Sequence, residues 1–350
     1  MAGWKSAVSK TRILWKRDGC YILMHRRVNH WLSWSVFLIV TSWGSGVQGV
    51  TTVTSPPEEE KAYPMGVGQA AVLGVVEGLT EYLPVSSTGH LLVTQKLLGM
   101  GNSNSNSPRE RESVKAAADA YAICIQAGAI LAVLGLYGRR FKQMLRGVAG
   151  RDPAGLKMAI NMAAGFLPAA VIGLLLEAQI KEHLFGVWPV VWAWFVGGIG
   201  ILALDWWKGR HPERPRNIKP LEELTWKMAL VIGLAQCVAM WPGVSRSLVT
   251  IMGGIMVGLT LLAAVEFSFL LGVVTLTAAA SYDAIRFGSI MLESFDAEPL
   301  VVGLVFAFLS AVVAVKCMVN YLSRHGLGVF GYYRVAVAFL VAVCYAANLI

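Results

Sequence analysis

The sequence predicts an all-α polytopic membrane protein made of two inverted-topology repeats, each a re-entrant helical hairpin followed by three transmembrane helices. Three observations predict this: the composition is apolar, apolar runs of spanning length recur, and two interrupted apolar segments resemble each other. Of the 350 residues, 56% are hydrophobic and 15% charged, where an average soluble domain carries about 25% charged residues. The net charge of +9 is concentrated in the amino-terminal arm and in loops between apolar runs. That is the positive-inside pattern, and without interleaved aromatic and basic residues it gives no sign of nucleic-acid contact. Cys20, Cys124, Cys237, Cys317 and Cys344 are odd in number and scattered, which fits packing and offers neither a disulfide framework nor metal spacing.

Residues 1–65 read as an arm outside the fold. The first 23 are basic, and Met24 opens a second start with His25-Arg26-Arg27, an apolar run from Trp31 to Val40 and small residues from Ser42 to Gly49. This is the order of a secretory signal, or equally of an uncleaved anchor. Thr51 to Lys61 follows as a non-cytoplasmic linker. The membrane domain is expected over 66–350, with repeat one at 66–206 and repeat two at 228–349.

Repeat one opens with Gly74 to Leu92, GVVEGLTEYLPVSSTGHLL. Charge within an apolar segment costs several kcal/mol and marks function more often than stability. If Gly74 to Leu83 is helical, Glu77 and Glu81 share one face. Pro84 stops that helix, and Ser86, Ser87 and Thr88 suit the start of another. Gly99 to Lys115 then reads as a flexible polar loop. Spans are expected at Ala118–Tyr137, Met158–Leu176, Trp188–Trp206, Ala263–Tyr282, Pro299–Val319 and Val329–Leu349.

Repeat two opens with Gly233 to Met252, GLAQCVAMWPGVSRSLVTIM. With Gly74 laid on Gly233, Glu77 falls on Gln236, Ser86 on Ser245, Ser87 on Arg246 and Thr88 on Ser247. Two such broken segments in corresponding halves point to a midplane site. Arg139, Arg140, Lys142, Arg146, Arg151 and Lys157 mark one loop as cytoplasmic, and Lys208, Arg210, Arg214, Arg216, Lys219 and Lys227 another. The connectors with Glu177, Lys181 and Glu182, and with Asp283, Glu293, Asp296 and Glu298, then fall outside. Each hairpin must therefore enter and leave on one side, and the halves are inverted. Reading each hairpin as two short spans keeps the same parity, but mid-depth proline and hydroxyls need a protein-lined cavity.

Two helix amino ends near the membrane centre suit an anion, above all a phosphate. Arg246 adds a planar donor between Ser245 and Ser247, or else pairs with a carboxylate such as Glu81; the two are compatible. Glu77 and Glu81 suit a divalent cation bridging phosphates, a base, or a protonated carboxyl pair. Ser87 is a nucleophile or phosphate ligand with Ser86 and Thr88 beside it, unless all three simply cap a helix. His90 on the next turn is placed to activate the serine or protonate a leaving oxygen. His25, His30, His183, His211 and His325 take no role.

The E-G-L-T-E-Y-L-P-V-S-S-T-G-H run and the later P-G-V-S-R-S run resemble the two signature motifs of the bacitracin-resistance family of undecaprenyl diphosphate phosphatases, over about residues 66 to 349. The resemblance implies an integral-membrane phosphatase that converts undecaprenyl diphosphate to the monophosphate carrier of cell-wall synthesis, on the outer side of the bacterial plasma (inner) membrane. It carries Glu77, Glu81, Ser87, His90, Ser245, Arg246 and Ser247 over as functional residues. With it go a divalent cation (Mg²⁺ or Ca²⁺) at Glu77 and Glu81, membrane lipids as surroundings, no nucleic acid, and a possible homodimer. Three positions depart from the family pattern: Leu248 stands where Gly is usual, Leu261 where Arg is common and Val274 where Pro is common. A bulky Leu248 is expected to narrow the phosphate pocket. The alternative class is a lipid-carrier flippase or ion-coupled transporter, since inverted repeats with re-entrant hairpins also build transporters.

Overall fold

The computed structural model describes residues 65–100, 108–184, 186–210, 218–294, 296–347 and 349. The signal-like segment, the linker before it reaches residue 65, and His25, His30 and His211 lie outside the described residues. Eleven α-helices form among those described, with no strand. They are α1 Val67–Thr80, α2 Ser87–Leu97, α3 Pro108–Leu136, α4 Gly138–Val148, α5 Pro153–Leu184, α6 Val187–Arg210, α7 Trp226–Gln236, α8 Arg246–Met256, α9 Leu261–Ser294, α10 Ala297–Leu322 and α11 Gly328–Ala346.

Five of these, α5, α6, α9, α10 and α11, are long and apolar enough to cross a membrane; α3 and α4 together make a sixth candidate, bent by 78° at Tyr137. Four of the expected spans fall within one helix that runs further than the apolar window; Ala118–Tyr137 passes the end of α3 by one residue, and Val329–Leu349 passes the end of α11 at Ala346. Half of the expected flexible loop is helix, because α3 begins at Pro108, whose missing N–H costs nothing in a first turn. Asp283 and Glu293, expected in a connector, lie within α9. Hydropathy marks the lipid-facing part of a helix, whereas hydrogen bonding carries the helix on into water.

The short helices α1, α2, α7 and α8 are the arms of the two broken segments, and each leading arm packs on a helix from the other half. Helix α1 lies against α10, and α7 lies against α5. Both crossings are glycine-on-glycine: a Cβ at Gly74 would overlap the Gly303 carbonyl, and one at Gly233 the Gly165 carbonyl. Small residues allow such backbone approach where lipid supplies no hydrophobic drive for helix association. Gly74 and Gly233 are the pair that the sequence overlay aligns. The largest core cluster, including Tyr82, Ile232, Ile251, Phe267 and Phe269, joins the hairpins to α9.

Candidate active site

Each broken segment turns on a serine forced into an unusual backbone. Helix α1 ends at Thr80, Pro84 halts any continuation, and Ser86 (φ +73°) precedes α2. Helix α7 ends at Gln236, passes through a 3₁₀ turn at Cys237–Met240, and reaches Ser245 (φ +77°) before α8. Among the described residues these two serines are the non-glycine positions with positive φ. Such strain costs about 1–3 kcal/mol and persists where the surroundings over-determine it. Here the residues at both helix starts line one cavity.

The second segment braces the first. Ser247 Oγ donates to the Leu83 carbonyl at 2.8 Å and lies 3.0 Å from Ser245 Oγ, which caps Leu248 N–H. Arg246 Nη2 lies 2.7 Å from Glu81 Oε1, and Ser87 Oγ donates to Glu81 Oε2 at 2.5 Å. Glu81 thus holds the Ser87 hydroxyl with one oxygen and the arginine with the other. Arg246 also lies over the Tyr82 ring, 5.5 Å from its centroid, and fills the space that a Cβ at Gly272 would need.

A cavity of about 310 Å³ opens beside this unit, with Ser86, Ser87, Thr88, Ser245, Arg246 and Gln236 in its wall together with Glu81. Arg246 Nε and Nη1, Gln236 Nε2, Tyr82 Oη and Glu77 Oε2 are buried without a hydrogen-bond partner in the protein. Unmatched buried polar atoms cost about 1–3 kcal/mol each, more when charged. Three of the five are arginine or amide nitrogens, donors of the kind that receive phosphoryl oxygens.

Three expected site residues, Glu77, His90 and Ser247, lie outside the cavity wall, Glu77 buried one turn before Glu81. Ser247 is fully buried and serves as a strut, outside the cavity wall. His90 holds the Ser86 carbonyl through Nδ1 at 2.6 Å and Tyr333 Oη through Nε2 at 2.8 Å, stacked on Tyr333. Both ring nitrogens are thus engaged away from Ser87, and the group within hydrogen-bond reach of the Ser87 hydroxyl is Glu81. Leu248 also departs from expectation: it is 2% exposed in the main core and does not line the cavity, so it cannot narrow it.

A model of the family described as bacitracin resistance protein BacA matches residues 70–340. The chain belongs to this family. Similar curated proteins include an undecaprenyl-diphosphatase of Sorangium cellulosum, 43% identical over 275 residues, 78% of this chain and 84% of the relative. An undecaprenyl-diphosphatase 2 of Rhodospirillum rubrum is 44% identical over 273 residues, 78% and 93% of the two chains. A third relative, the undecaprenyl-diphosphatase of Nitrosospira multiformis, is 39% identical over 272 residues, 78% and 92%.

In this BacA-family chain, sequence reasoning missed Arg334, the fully buried cation of α11. It donates to Pro84 O (3.2 Å) in the first turn, Gly243 O (2.9 Å) in the second, and Ala193 O (2.8 Å) in α6. Trp194 of α6 adds an indole donor to Val85 O at 2.8 Å. An arginine inside the apolar run 329–349 was the signal, since intramembrane charge marks a site by default. Gln236 was visible only as the residue laid on Glu77.

Among the described residues no three His, Cys, Asp or Glu converge as a metal cage. A hard cation does not need one, because Mg²⁺ keeps several waters and uses one or two carboxylates plus substrate phosphates. The unpartnered, buried Glu77 Oε2 one helical turn before Glu81 fits that requirement.

Proposed function

We infer that the chain hydrolyses undecaprenyl diphosphate to undecaprenyl phosphate and inorganic phosphate, recycling the lipid carrier of cell-wall synthesis and so conferring bacitracin resistance. The observation that carries this reading is the Ser87–Glu81–Arg246 unit, assembled from both motifs beside a cavity of orphan donors. The names of the relatives supply the substrate.

Arg246 Nε and Nη1 and Gln236 Nε2 grip the terminal phosphoryl oxygens. Ser87 Oγ attacks the terminal phosphorus while its proton passes to Glu81 Oε2, and undecaprenyl phosphate leaves as the P–O bond breaks. Glu81 passes that proton to the departing undecaprenyl phosphate; ionised again, it takes a proton from water as the water oxygen attacks the phosphorus, and returns it to Ser87 Oγ as inorganic phosphate leaves. Arg246 meets the charge that develops on the phosphoryl group, worth about 3–4 kcal/mol for one such donor. Glu77 and Glu81 would hold a divalent cation, Mg²⁺ or Ca²⁺, which when bound neutralises charge between the two phosphates. Ser86, Thr88 and Ser245 complete the phosphate-facing wall.

The chain is a multi-pass membrane protein. Its loop charges support a bacterial plasma membrane setting, inverted repeats and a site facing the outer side. Phosphate release from undecaprenyl diphosphate by the purified full chain tests the activity. Release by wild type and not by Ser87→Ala is the expected result; an inactive but folded wild type that moves the lipid between leaflets would favour the flippase.

A further inference from the structure

Away from the site, α4 gathers a group of cationic side chains around a cleft. This helix turns 78° from α3, so if α3 crosses the membrane, α4 runs along its surface. It is fixed there by close packing on α5, where a Cβ at Gly147 would overlap Leu156 N and one at Gly155 would overlap Gln143 O.

Its sequence divides into three flanks. Met144 and Gly147 are buried against the protein. Leu145 and Val148 are 72% and 69% exposed, beside Phe141. Arg139, Lys142 and Arg146 recur at three- and four-residue spacing on the remaining flank. An exposed apolar strip beside a basic strip is the pattern of a helix lying at the boundary between acyl chains and headgroups.

The three cations also line one cleft of about 690 Å³, with Tyr137, Arg140 and Asp152. Arg140 is already matched by Glu266 at 2.7 Å and Glu222 at 3.1 Å. The Asp152 carboxylate caps α5 through Gly155 N–H at 2.9 Å. Arg139, Lys142 and Arg146 have no carboxylate within ion-pair distance among the described residues. Topology requires only that basic residues stay on one side. It does not require three uncompensated ones around a single concavity, next to an apolar strip that would receive lipid tails.

We propose that the α4 cleft is a binding site for the phosphate headgroup of an anionic glycerophospholipid, held by Arg139, Lys142 and Arg146 with its acyl chains along Leu145 and Val148. A basic residue near such a surface is worth about fivefold in affinity, so three together give about a hundredfold.

The test uses the full chain purified into micelles holding equal phosphatidylglycerol and phosphatidylcholine, with bound lipid counted by native mass spectrometry. Wild type should retain phosphatidylglycerol selectively, and the triple variant Arg139→Gln/Lys142→Gln/Arg146→Gln should lose it about a hundredfold. Arg151→Gln/Lys227→Gln/Arg324→Gln, which removes as much charge outside the cleft, should retain it. Lys142→Gln alone should lose about fivefold and Lys142→Arg should restore it, so the proposal stays testable if the triple variant misfolds. Equal retention by the cleft and control variants, equal binding of phosphatidylcholine, or complete displacement by millimolar inorganic phosphate would each overturn the lipid assignment.

Discussion

Arg246 and Glu81 lie 165 residues apart in the chain yet meet at 2.7 Å, with side chains only 11% and 6% exposed. Neither motif is a site without the other. The pair uses one arginine nitrogen and leaves Nε and Nη1 buried and unpartnered, so the contact orients a donor more than it neutralises one.

Arg246→Lys therefore separates the two roles. An ammonium can still pair with Glu81, so the fold should hold, but the planar fork is gone. Phosphate release at matched levels of folded protein should fall by roughly a hundredfold to a thousandfold. Retention of most activity would mean that the arginine does not grip the diphosphate.

Glu81→Gln and Glu77→Gln should differ in character. The first places an amide where Ser87 and Arg246 both donate, so turnover should fall by about a hundredfold or more and thermal stability should drop as well. The second replaces a carboxyl whose Oε2 has no partner, so melting temperature should be held or raised while turnover falls and more divalent cation is needed. A chelator titration beside a thermal melt reads both. Cation-independent turnover in wild type would remove the metal from the account.

His90 is expected to act through the Ser86 turn. Tyr333→Phe and His90→Gln should lower activity and melting temperature together, each removing a hydrogen bond worth about 0.5–1.5 kcal/mol. Neither should erase a limb of the pH–rate profile. If His90→Gln erases one and Tyr333→Phe is silent, the imidazole transfers a proton after all.

Leu248→Gly, although it restores the family's usual residue, should damage this chain. The side chain sits in the core, where loss of a leucine costs about 2–5 kcal/mol and a helical glycine about 1 more. A higher melting temperature or a faster rate would place Leu248 against the substrate instead.

The sequence made local features legible and distant pairings illegible. Apolar length disclosed the candidate spans, and hydroxyl-rich stretches disclosed where the two short-helix segments break. The Glu81–Arg246 contact was foreseen, but only as one of two compatible readings. His90 was read with its neighbour Ser87 because nothing local reveals Tyr333, 243 residues away. Leu248 was read as facing the phosphate because adjacency to Arg246 says nothing about which side of a helix start faces the core. Arg334 could have been found, since an apolar run with one arginine poses the question of its partners.

Arg334 has a consequence for the order in which the protein becomes competent. Residues 84 and 243 leave the ribosome well before residue 334, yet both turns take their clamp from it. A nascent chain that already contains both turns therefore lacks the guanidinium that donates to them. A truncation just before α11 would remove no residue of the cavity wall, yet both turns would lose their shared tether, while the Ser247 and Trp194 bonds to Leu83 and Val85 would still brace the first turn.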